Sequence, residues 1–459
     1  DSMKRVLKRS FLILFFTILF IGGAAFFCVE LVFNADDWAN QPYNAHISGN
    51  GGLEQAGAVY DRNGTVLAKT QGTDRVYNEN YSVRVGLLHT VGDNSLNIST
   101  AVQSKYRSQL TGYSLIWGLN MPQSLRTSHD ITLTVDANAS AAAYDALSAY
   151  GKQGACVVYN YKTGEVISSV STYSYDPEAP PEINEDNEHE YEGVYLDHVL
   201  SSSYTPGSIF KLVTAAAAIE NIPDLFERTW YCEGHEDIGG AEVRCVDGEA
   251  HGTLDFYGAL EHSCNIVFAE LAVELGPEKM TAAAEKMGIN LSYEIDDVST
   301  AKGHYDVSKA TTNELAWSGV GQYNDEVNPM QMAILCGAIA NGGNSVNPTY
   351  IKSGTGDLLK MIGLNDTKSR ELLKSSTAST LSQSMPSYTF GSLSVRAKTG
   401  TAEVGDEKSP NAWMVGFSTD EDCPLAFACV VEDAGFGSQY ARPVAETAMQ
   451  SAAQALRGY

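Results

Sequence analysis

The sequence predicts an α+β protein in which a small, mostly β unit and a larger mixed unit follow one N-terminal membrane-spanning helix. Three observations support this fold class. The chain has 459 residues, too many for one ordinary hydrophobic core. Its residues 11–29 are apolar and uncharged. Beyond them, paired strand patterns precede and follow a cluster of helix patterns, which is typical of α+β folds.

The apolar segment FLILFFTILFIGGAAFFCV is long enough to cross a hydrocarbon core of about 30 Å as a helix. A basic cluster (Lys4, Arg5, Lys8 and Arg9) precedes it, which predicts a cytoplasmic N-terminus and an extracytoplasmic location for everything after Phe33. A cleaved signal peptide would have a shorter apolar region and a small-residue cleavage site. We therefore expect a cytoplasmic tail at 1–10 and an uncleaved membrane anchor at 11–33.

The two folded units are predicted at 34–128 and 129–459. In the first, AGAVYDRNGTVLAKT reads as a hairpin, because Asn63-Gly64 suits the tight turns of antiparallel strands. The second opens with a strand and an Ala-rich helix, DITLTVDANASAAAYDALSAYG, followed by a strand pair. A mainly helical section over 253–287, a helix in PMQMAILCGAIANGG, three late strands and a final helix from Pro443 complete it.

Charge and cysteine usage exclude some functions. The formal net charge of −26 argues against a nucleic-acid partner, which would require a basic surface. Among eight cysteines, Cys232 and Cys245 flank a Gly-rich loop. Either they form a disulfide, worth roughly 3 kcal/mol, or they are two reduced thiols. No C-x-x-C pair or histidine cluster has metal-ligand spacing along the chain, so we expect no metal and no cofactor.

The stretch YTPGSIFKLVTAAAA places Ser208 and Lys211 one turn apart at the start of an apolar helix. A buried lysine is costly as a cation, and a neutral Lys211 accepts the Ser208 proton. A second Ser-x-x-Lys, at Ser299 and Lys302, lies in a polar, Gly-broken stretch where nothing desolvates the lysine. Only the first pair is therefore predicted to be a nucleophile and its base.

Lowering a lysine pKa from about 10.4 to near 7 requires roughly 4 to 5 kcal/mol. A helix N-terminus supplies about 1 kcal/mol, so desolvation and a second cation are expected to supply the rest. Lys-Thr-Gly at 162–164 reads as an exposed hairpin turn, whereas Lys398-Thr399-Gly400 lies on a late strand and supplies that cation.

The strand around Lys398 is also a candidate substrate edge. An extended peptide can pair with such a strand by β-addition. Gly400 is expected to admit the peptide backbone, and Thr399, Thr401 and Lys398 to bind a terminal carboxylate.

A Ser-x-Asn motif lies between two amphipathic helices in LEHSCNIVFAEL. Ser263 is placed to relay a proton between Lys211 and a leaving group, and Asn265 to hold a substrate amide. The alternative for Asn265 is a simple cap of the following helix.

The ordered trio of Ser-x-x-Lys, Ser-x-Asn and Lys-Thr-Gly resembles the class B penicillin-binding proteins, which are D,D-transpeptidases of peptidoglycan synthesis. The likeness extends over nearly the whole chain, through VYDRNGTVLA, LTVDANAS, SCNIVFAEL, GVGQYNDEVNPMQMAILCGAIANGG, KTGTAE and AWMVGF. It implies a penicillin-binding, serine β-lactamase-like transpeptidase domain at 129–459 on a small pedestal domain at 34–128.

The resemblance also implies roles for the site residues. Ser208 is the acylated nucleophile, Lys211 its base and Ser263 the relay. The residues implied to contact substrate or to flank the reacting groups are Lys398, Asn265, Thr399, Gly400 and Thr401. The implied ligands are D-Ala-D-Ala stem peptides of peptidoglycan and β-lactams, and the backbone amides of Ser208 and Thr401 form the oxyanion hole. A polytopic glycosyltransferase of shape, elongation or division is the implied partner.

Two features depart from the family pattern. LDHVLSSSYTPGS replaces an Asn-Arg found in many relatives upstream of the nucleophile, and an acidic loop spans 176–193. That loop either is solvated surface or shapes substrate access. The rival interpretations are a serine β-lactamase or D,D-carboxypeptidase, a membrane-anchored β-lactam sensor, and a non-catalytic scaffold of a wall-synthesis complex.

Overall fold

The computed structural model describes residues 2–39, 53, 56–111, 130–352, 369–405 and 408–458. The N-terminal segment forms one helix, α1 (Ser2–Ala39). Its stretch Arg9–Cys28, with a mean hydropathy of 2.6, is long and apolar enough to cross a membrane. The predicted membrane-spanning helix therefore forms as a continuous helix.

The described part of the first unit contains three strands and four short helices. They are β1 (Val59–Tyr60), β2 (Val66–Gln71), β3 (Asp74–Tyr77), α2 (Tyr81–Gly86), α3 (Leu88–Val91), α4 (Val102–Lys105) and α5 (Arg107–Thr111). β1 and β2 pair antiparallel around the Asn63-Gly64 turn, as predicted. The short helices were not foreseen. Residues 40–52 and 112–129, which we also assigned largely to this unit, lie outside the described residues.

The boundary at residue 129 remains a prediction. The first strand beyond it, β4 (Ile131–Thr132), pairs in parallel with β1. The pedestal sheet thus has the order β3-β2-β1-β4 and takes its edge strand from the start of the second unit.

The second unit alternates strands and helices, in agreement with the predicted α+β class. In chain order the elements are α6 (Ala137–Ser148), β5 (Gly154–Asn160), β6 (Val166–Thr172), α7 (His198–Ser201), α8 (Lys211–Asn221), β7 (Trp230–Cys232), β8 (His235–Asp237), β9 (Glu242–Arg244), β10 (Gly252–Leu254), α9 (Phe256–Glu261), α10 (Asn265–Lys286), β11 (Glu294–Ile295), β12 (Val298–Ser299), α11 (Thr312–Ser318), α12 (Pro329–Ala340), β13 (Asn344–Ser345), β14 (Arg370–Glu371), α13 (Ser375–Ser384), β15 (Ser387–Phe390), β16 (Leu393–Ala402), β17 (Asn411–Ser418), β18 (Leu425–Val431) and α14 (Ala441–Arg457).

Six of these strands form an antiparallel sheet in the order β15-β16-β17-β18-β5-β6. Every residue of β5, β6, β17 and β18 is buried. Helices on both faces cause this burial, because α6 and α14 pack on one face and α12 on the other. The sheet therefore forms a buried platform, and the turn Gly207–Phe210, which leads into the helical section around α8 and α10, packs beside β16.

Local sequence explains the helix boundaries on this platform. Asp136 caps α6 by accepting from the Ala139 amide. Asn328 and Gln331 form a capping box at the start of α12, where Pro329 occupies the first helical position.

The acidic loop 176–193 is fastened to the pedestal. Asp176 accepts two hydrogen bonds from the Arg84 guanidinium, at 2.8 and 2.6 Å. Glu178 accepts from the Tyr77 amide at 3.2 Å. None of its residues lines the cleft that contains Ser208. These contacts favour a solvated, pedestal-bound loop over one that shapes substrate access.

Candidate active site

Ser208 lies in a 3-10 turn, Gly207–Phe210, that leads directly into α8. Gly207 has a φ of +54°, and a side chain there would lie 2.6 Å from the Thr401 carbonyl oxygen. Glycine therefore lets the turn pack directly against β16. Only 8% of Ser208 is exposed. The nucleophile predicted from the sequence is thus held at a junction between the helical section and the sheet.

Lys211 is fully buried and its amine is surrounded by acceptors. Nζ lies 3.0 Å from Ser208 Oγ, 2.6 Å from the Ser263 carbonyl oxygen and 2.6 Å from Asn265 Oδ1. The carbonyl and amide oxygens are acceptors only, so they take the two N–H groups of a neutral amine. The remaining lone pair is then available to the Ser208 hydroxyl.

The charge state of Lys211 follows from its burial. Desolvation lowers the pKa of Lys211 from 10.5 to about 7, while the nearby Cys264 and Cys245 sulfurs act in the opposite direction. Desolvation is therefore the main cause. At neutral pH a substantial fraction of Lys211 is a free amine and can act as a general base.

Lys398 reaches the same centre from β16. Its Nζ donates to Ser263 Oγ at 2.8 Å and to the Thr399 carbonyl at 3.0 Å, and it is 1% exposed. Burial first, and the charge of Lys211 second, lower the pKa of Lys398 well below its usual value. Both amines contact Ser263 Oγ, which lies 3.1 Å from Lys211 Nζ. The two lysines thus disfavour double protonation, and Ser263 bridges them.

Asn265 does not cap α10. The cap residue is Cys264, without a side-chain capping bond, and Asn265 is the first helical residue. Its Oδ1 accepts from Lys211, and its Nδ2 donates to the Arg244 carbonyl at 2.8 Å. The capping alternative is therefore wrong, and Asn265 instead holds the Lys211 amine.

The Lys-Thr-Gly strand has an open edge beside Ser208. β16 pairs with β17 along its length, whereas β15 pairs only with Leu393–Arg396. From Ala397 onward, no strand among the described residues pairs with β16 on the side where β15 lies. Thr399 and Thr401 share one face, since strand side chains alternate. This edge has the form expected for β-addition of a peptide.

Gly400 is crowded by the turn that carries Ser208. A side chain there would lie 3.0 Å from both the Pro206 carbonyl and Ile209 Cγ2. The small residue therefore suits this packing, and its predicted role in admitting a peptide backbone stays a prediction.

A cleft of about 390 Å³ opens over Ser208, Asn265 and Thr401. The sequence reasoning missed several residues that line it: Arg244, Trp317, Gln322, Glu403 and Phe436. Within the described residues, Gln322 Nε2 is a buried donor without a hydrogen-bond partner, which makes it a candidate substrate contact. Gln322 lies in GVGQYNDEV, one of the stretches that resemble the family, and this resemblance was the signal in the sequence that could have identified it.

The rejected copies of the motifs lie elsewhere. Lys302 is exposed, and its partner Ser299 bonds to Glu294. Lys162 extends from the β5–β6 turn to Asn341 Oδ1 at 2.7 Å. Neither lysine is desolvated, in agreement with the prediction.

The structure also bears on whether Cys232 and Cys245 form a disulfide or are two reduced thiols. Cys232 and Cys245 are free, with their sulfurs 3.7 Å apart, so the disulfide alternative does not hold in this structure. Cys156, Cys336 and Cys429 are buried thiols.

Comparison with known proteins identifies this arrangement. Residues 154–450 match the family described as the penicillin binding protein transpeptidase domain. The chain belongs to this family. The class and fold predicted for this penicillin-binding protein are confirmed.

Among its relatives, the peptidoglycan D,D-transpeptidase PbpA of Mycolicibacterium smegmatis is 27% identical over 351 residues, which cover 67% of this chain and 68% of the relative. Penicillin-binding protein 3 of Bacillus subtilis is 27% identical over 400 residues, covering 79% of this chain and 58% of the relative.

Solved structures show the same fold. Penicillin-binding protein A of Mycobacterium tuberculosis, as its ceftriaxone acyl-enzyme, superposes with a TM-score of 0.72 at 22% identity and covers 88% of this chain and 99% of that one. The D,D-transpeptidase domain from Eggerthella lenta superposes with a TM-score of 0.68 at 24% identity, with the same coverage.

Proposed function

We propose that this penicillin-binding protein is a serine-type peptidoglycan D,D-transpeptidase that forms its acyl-enzyme on Ser208 and is acylated there by β-lactams. Its family membership and its relatives named as D,D-transpeptidases support the reaction class. The position of Lys211 carries the assignment of the nucleophile. Its amine is fully buried, it has two acceptor-only partners, and it lies 3.0 Å from Ser208 Oγ.

In the acylation step, Lys211 takes the Ser208 proton as Oγ attacks the carbonyl carbon of the penultimate D-Ala. The backbone amides of Ser208 and Thr401 are the proposed donors to the oxyanion, where one donor affects the rate by about 10²–10³. Ser263 contacts both lysine amines, so it relays the proton to the leaving D-Ala amine. An amine of a second stem peptide then attacks the ester, which forms the cross-link and frees Ser208.

The open edge of β16 is the proposed binding site of the extended stem. Thr399 and Thr401 offer hydroxyls on one face of the strand, and Thr401 lines the cleft. We assign to them, with Lys398, the terminal carboxylate of the stem or of a β-lactam. Asn265 and the unpartnered amide of Gln322 face the same cleft and are assigned to stem amides.

The helix α1 anchors the enzyme in the membrane in this proposal. The basic residues before Phe11 favour a cytoplasmic N-terminus, which places the cleft outside the cell, where peptidoglycan is cross-linked. A membrane-embedded glycosyltransferase that supplies glycan strands is the proposed partner of the anchor and pedestal.

Intact mass after incubation with a fluorescent penicillin tests the nucleophile. One adduct is expected on the unaltered chain, and none on Ser208→Ala. Ser299→Ala, which removes the serine of the other Ser-x-x-Lys, is the matched control and is expected to acylate normally. An adduct that persists on Ser208→Ala refutes the assignment.

The same experiment separates the rival functions. A long-lived adduct supports a transpeptidase, whereas rapid release of hydrolysed penicillin supports a β-lactamase. Cross-linked product from synthetic stem peptides distinguishes a transpeptidase from a β-lactam sensor or a scaffold, since neither of those joins stems.

A further inference from the structure

Three cysteines and one histidine converge behind the Ser263–Asn265 motif. Their sulfur and Nδ1 atoms all lie within 4.8 Å of one another. The members come from separate segments: the end of β7, the residue after β9, the residue before β10, and the residue before α10. They are Cys232, Cys245, His251 and Cys264. The expectation of no metal depended on spacing along the chain, whereas folding brings together ligands from positions 232 to 264.

Four of the six distances between ligand atoms in this cluster match a tetrahedral ion, and the other two are at most 4.8 Å. With zinc–sulfur bonds of about 2.3 Å and zinc–nitrogen bonds of about 2.05 Å, a tetrahedron has edges of ~3.8 Å between sulfurs and ~3.6 Å between sulfur and nitrogen. The Cys245 sulfur lies 3.7 Å from that of Cys232 and 3.8 Å from that of Cys264. His251 Nδ1 lies 3.4 Å from the Cys232 sulfur and 3.6 Å from the Cys245 sulfur.

We propose that this chain binds one structural Zn²⁺ ion through a Cys₃His ligand set composed of Cys232, Cys245, His251 and Cys264. A closed set of three thiolates and one imidazole suits Zn²⁺, which has no geometric preference of its own and accepts tetrahedral sulfur–nitrogen coordination. Binding releases the thiol protons to solvent. No position in such a set remains open for a substrate, so the ion holds structure and does not react.

A backbone amide already points at one of the sulfurs: the Gly234 amide donates to the Cys232 sulfur at 3.4 Å. N–H groups directed at sulfur are the outer contacts that orient and stabilise thiolate ligands. This part of the chain therefore supplies the ligands and a support for one of them.

The surrounding segment has little regular secondary structure. Among the described residues, β7 pairs only with β10, and β8 only with β9, each as a two-stranded ribbon. Such ribbons are marginally stable alone. All three cysteines are at most 2% exposed, so the cluster is the interior of this segment. An ion at its centre joins β7, β9 and β10 to the start of α10.

The ion also fixes the catalytic motif, because Cys264 lies between Ser263 and Asn265. Ser263 has a φ of +56°, a conformation that non-glycine residues rarely adopt. Its carbonyl and the Asn265 side chain both bind Lys211. From the other side, Asn265 Nδ2 binds the Arg244 carbonyl, next to Cys245. The metal ligands are thus positioning residues for the Lys211 base, and the bound ion is expected to support acylation of Ser208. This expected effect on acylation rests on the proposed function, whereas the metal site does not.

Metal content of the purified 459-residue chain in detergent tests the site. Elemental mass spectrometry is expected to find one zinc per chain. After chelation under reducing conditions, added Co²⁺ is expected to give the visible bands of tetrahedral cobalt and a sulfur-to-cobalt charge-transfer band. Cys232→Ser and His251→Ala are expected to lose the zinc. Cys336→Ser, at a buried cysteine outside the cluster, and His262→Ala, beside His251, are matched controls that retain it.

Further measurements separate the possible results. Cys232→Asp keeps a zinc ligand, so it is expected to bind Co²⁺ with a weakened charge-transfer band even if Cys232→Ser fails to fold. Removal of zinc is expected to slow penicillin acylation by at least about tenfold, with recovery on adding Zn²⁺ back. A chain without bound metal, whose mass shows a Cys232–Cys245 disulfide, overturns the proposal. Zinc that remains in Cys232→Ser and His251→Ala also overturns it. A zinc-loaded chain that penicillin does not acylate refutes the proposed function but not the metal site.

Discussion

The pH dependence of acylation follows directly from the burial of Lys211. Only the neutral amine accepts the Ser208 proton, and its pKa is lowered to about 7. The neutral fraction is roughly one tenth at pH 6 and nine tenths at pH 8, so the second-order rate of acylation is expected to rise about tenfold over this interval. Above pH 8 the rate is expected to level off.

The assay is stopped-flow acylation by a penicillin whose only ionisable group is its carboxylate, over pH 5.5–9.5. Lys211→Arg retains a long basic side chain that does not lose its proton, and its acylation is expected to fall by about 10²–10⁴ at every pH. Circular dichroism at each pH controls for unfolding. A rate that is constant between pH 6 and 8, or one that still increases tenfold per pH unit above pH 9, refutes the reasoning.

The same pKa shift makes a prediction about stability. The folded pKa of Lys211 lies below the unfolded value of 10.5, so the unfolded chain binds more protons between about pH 7 and 10.5. The burial of Lys211 therefore destabilises the folded chain fully below pH 7, and this destabilisation disappears as the pH rises from about 7 to 10.5. The difference corresponds to roughly 5 kcal/mol at low pH, an upper bound because buried sites relax. This is the energetic cost of holding a neutral base in the core.

The remaining predictions concern the supports of the site. Gly207→Ala is expected to lower the melting temperature and slow acylation, because its side chain would lie 2.6 Å from a backbone oxygen. Gly72→Ala is the control. Gly72 also has a positive φ, +70°, but a side chain there would meet nothing within 4 Å. This variant is therefore expected to lower the free energy of unfolding by only about 1 kcal/mol, from backbone strain alone. Equal losses in both variants contradict the packing explanation. Arg84→Ala removes the ion pair that holds the acidic loop. It is expected to lower the free energy of unfolding by about 1 kcal/mol and to leave the acylation rate unchanged. Slower acylation in Arg84→Ala at unchanged stability indicates that the loop shapes substrate access after all.

The sequence alone was sufficient to predict the family, the enzyme class and the motif residues. The comparisons confirm the family and the enzyme class. The reason is that burial can be read from local composition. Lys211 lies in an apolar, Ala-rich helix, so its desolvation was predictable, whereas Lys302 and Lys162 lie in polar turns. The membrane helix and the Asn63-Gly64 hairpin were likewise encoded within short stretches.

Only the tertiary structure decided what depends on distant residues meeting. Ser263 joins Lys211 to Lys398 across 52 and 135 positions of the chain, and no local pattern records such a contact. Gly400 packs closely against the turn at Pro206, a contact that the expectation about a peptide backbone had not considered. The four proposed metal ligands lack a recognisable spacing because they come from separate strand and helix ends. Local propensity determines each of these ends, but their convergence depends on how the strands and helices pack together.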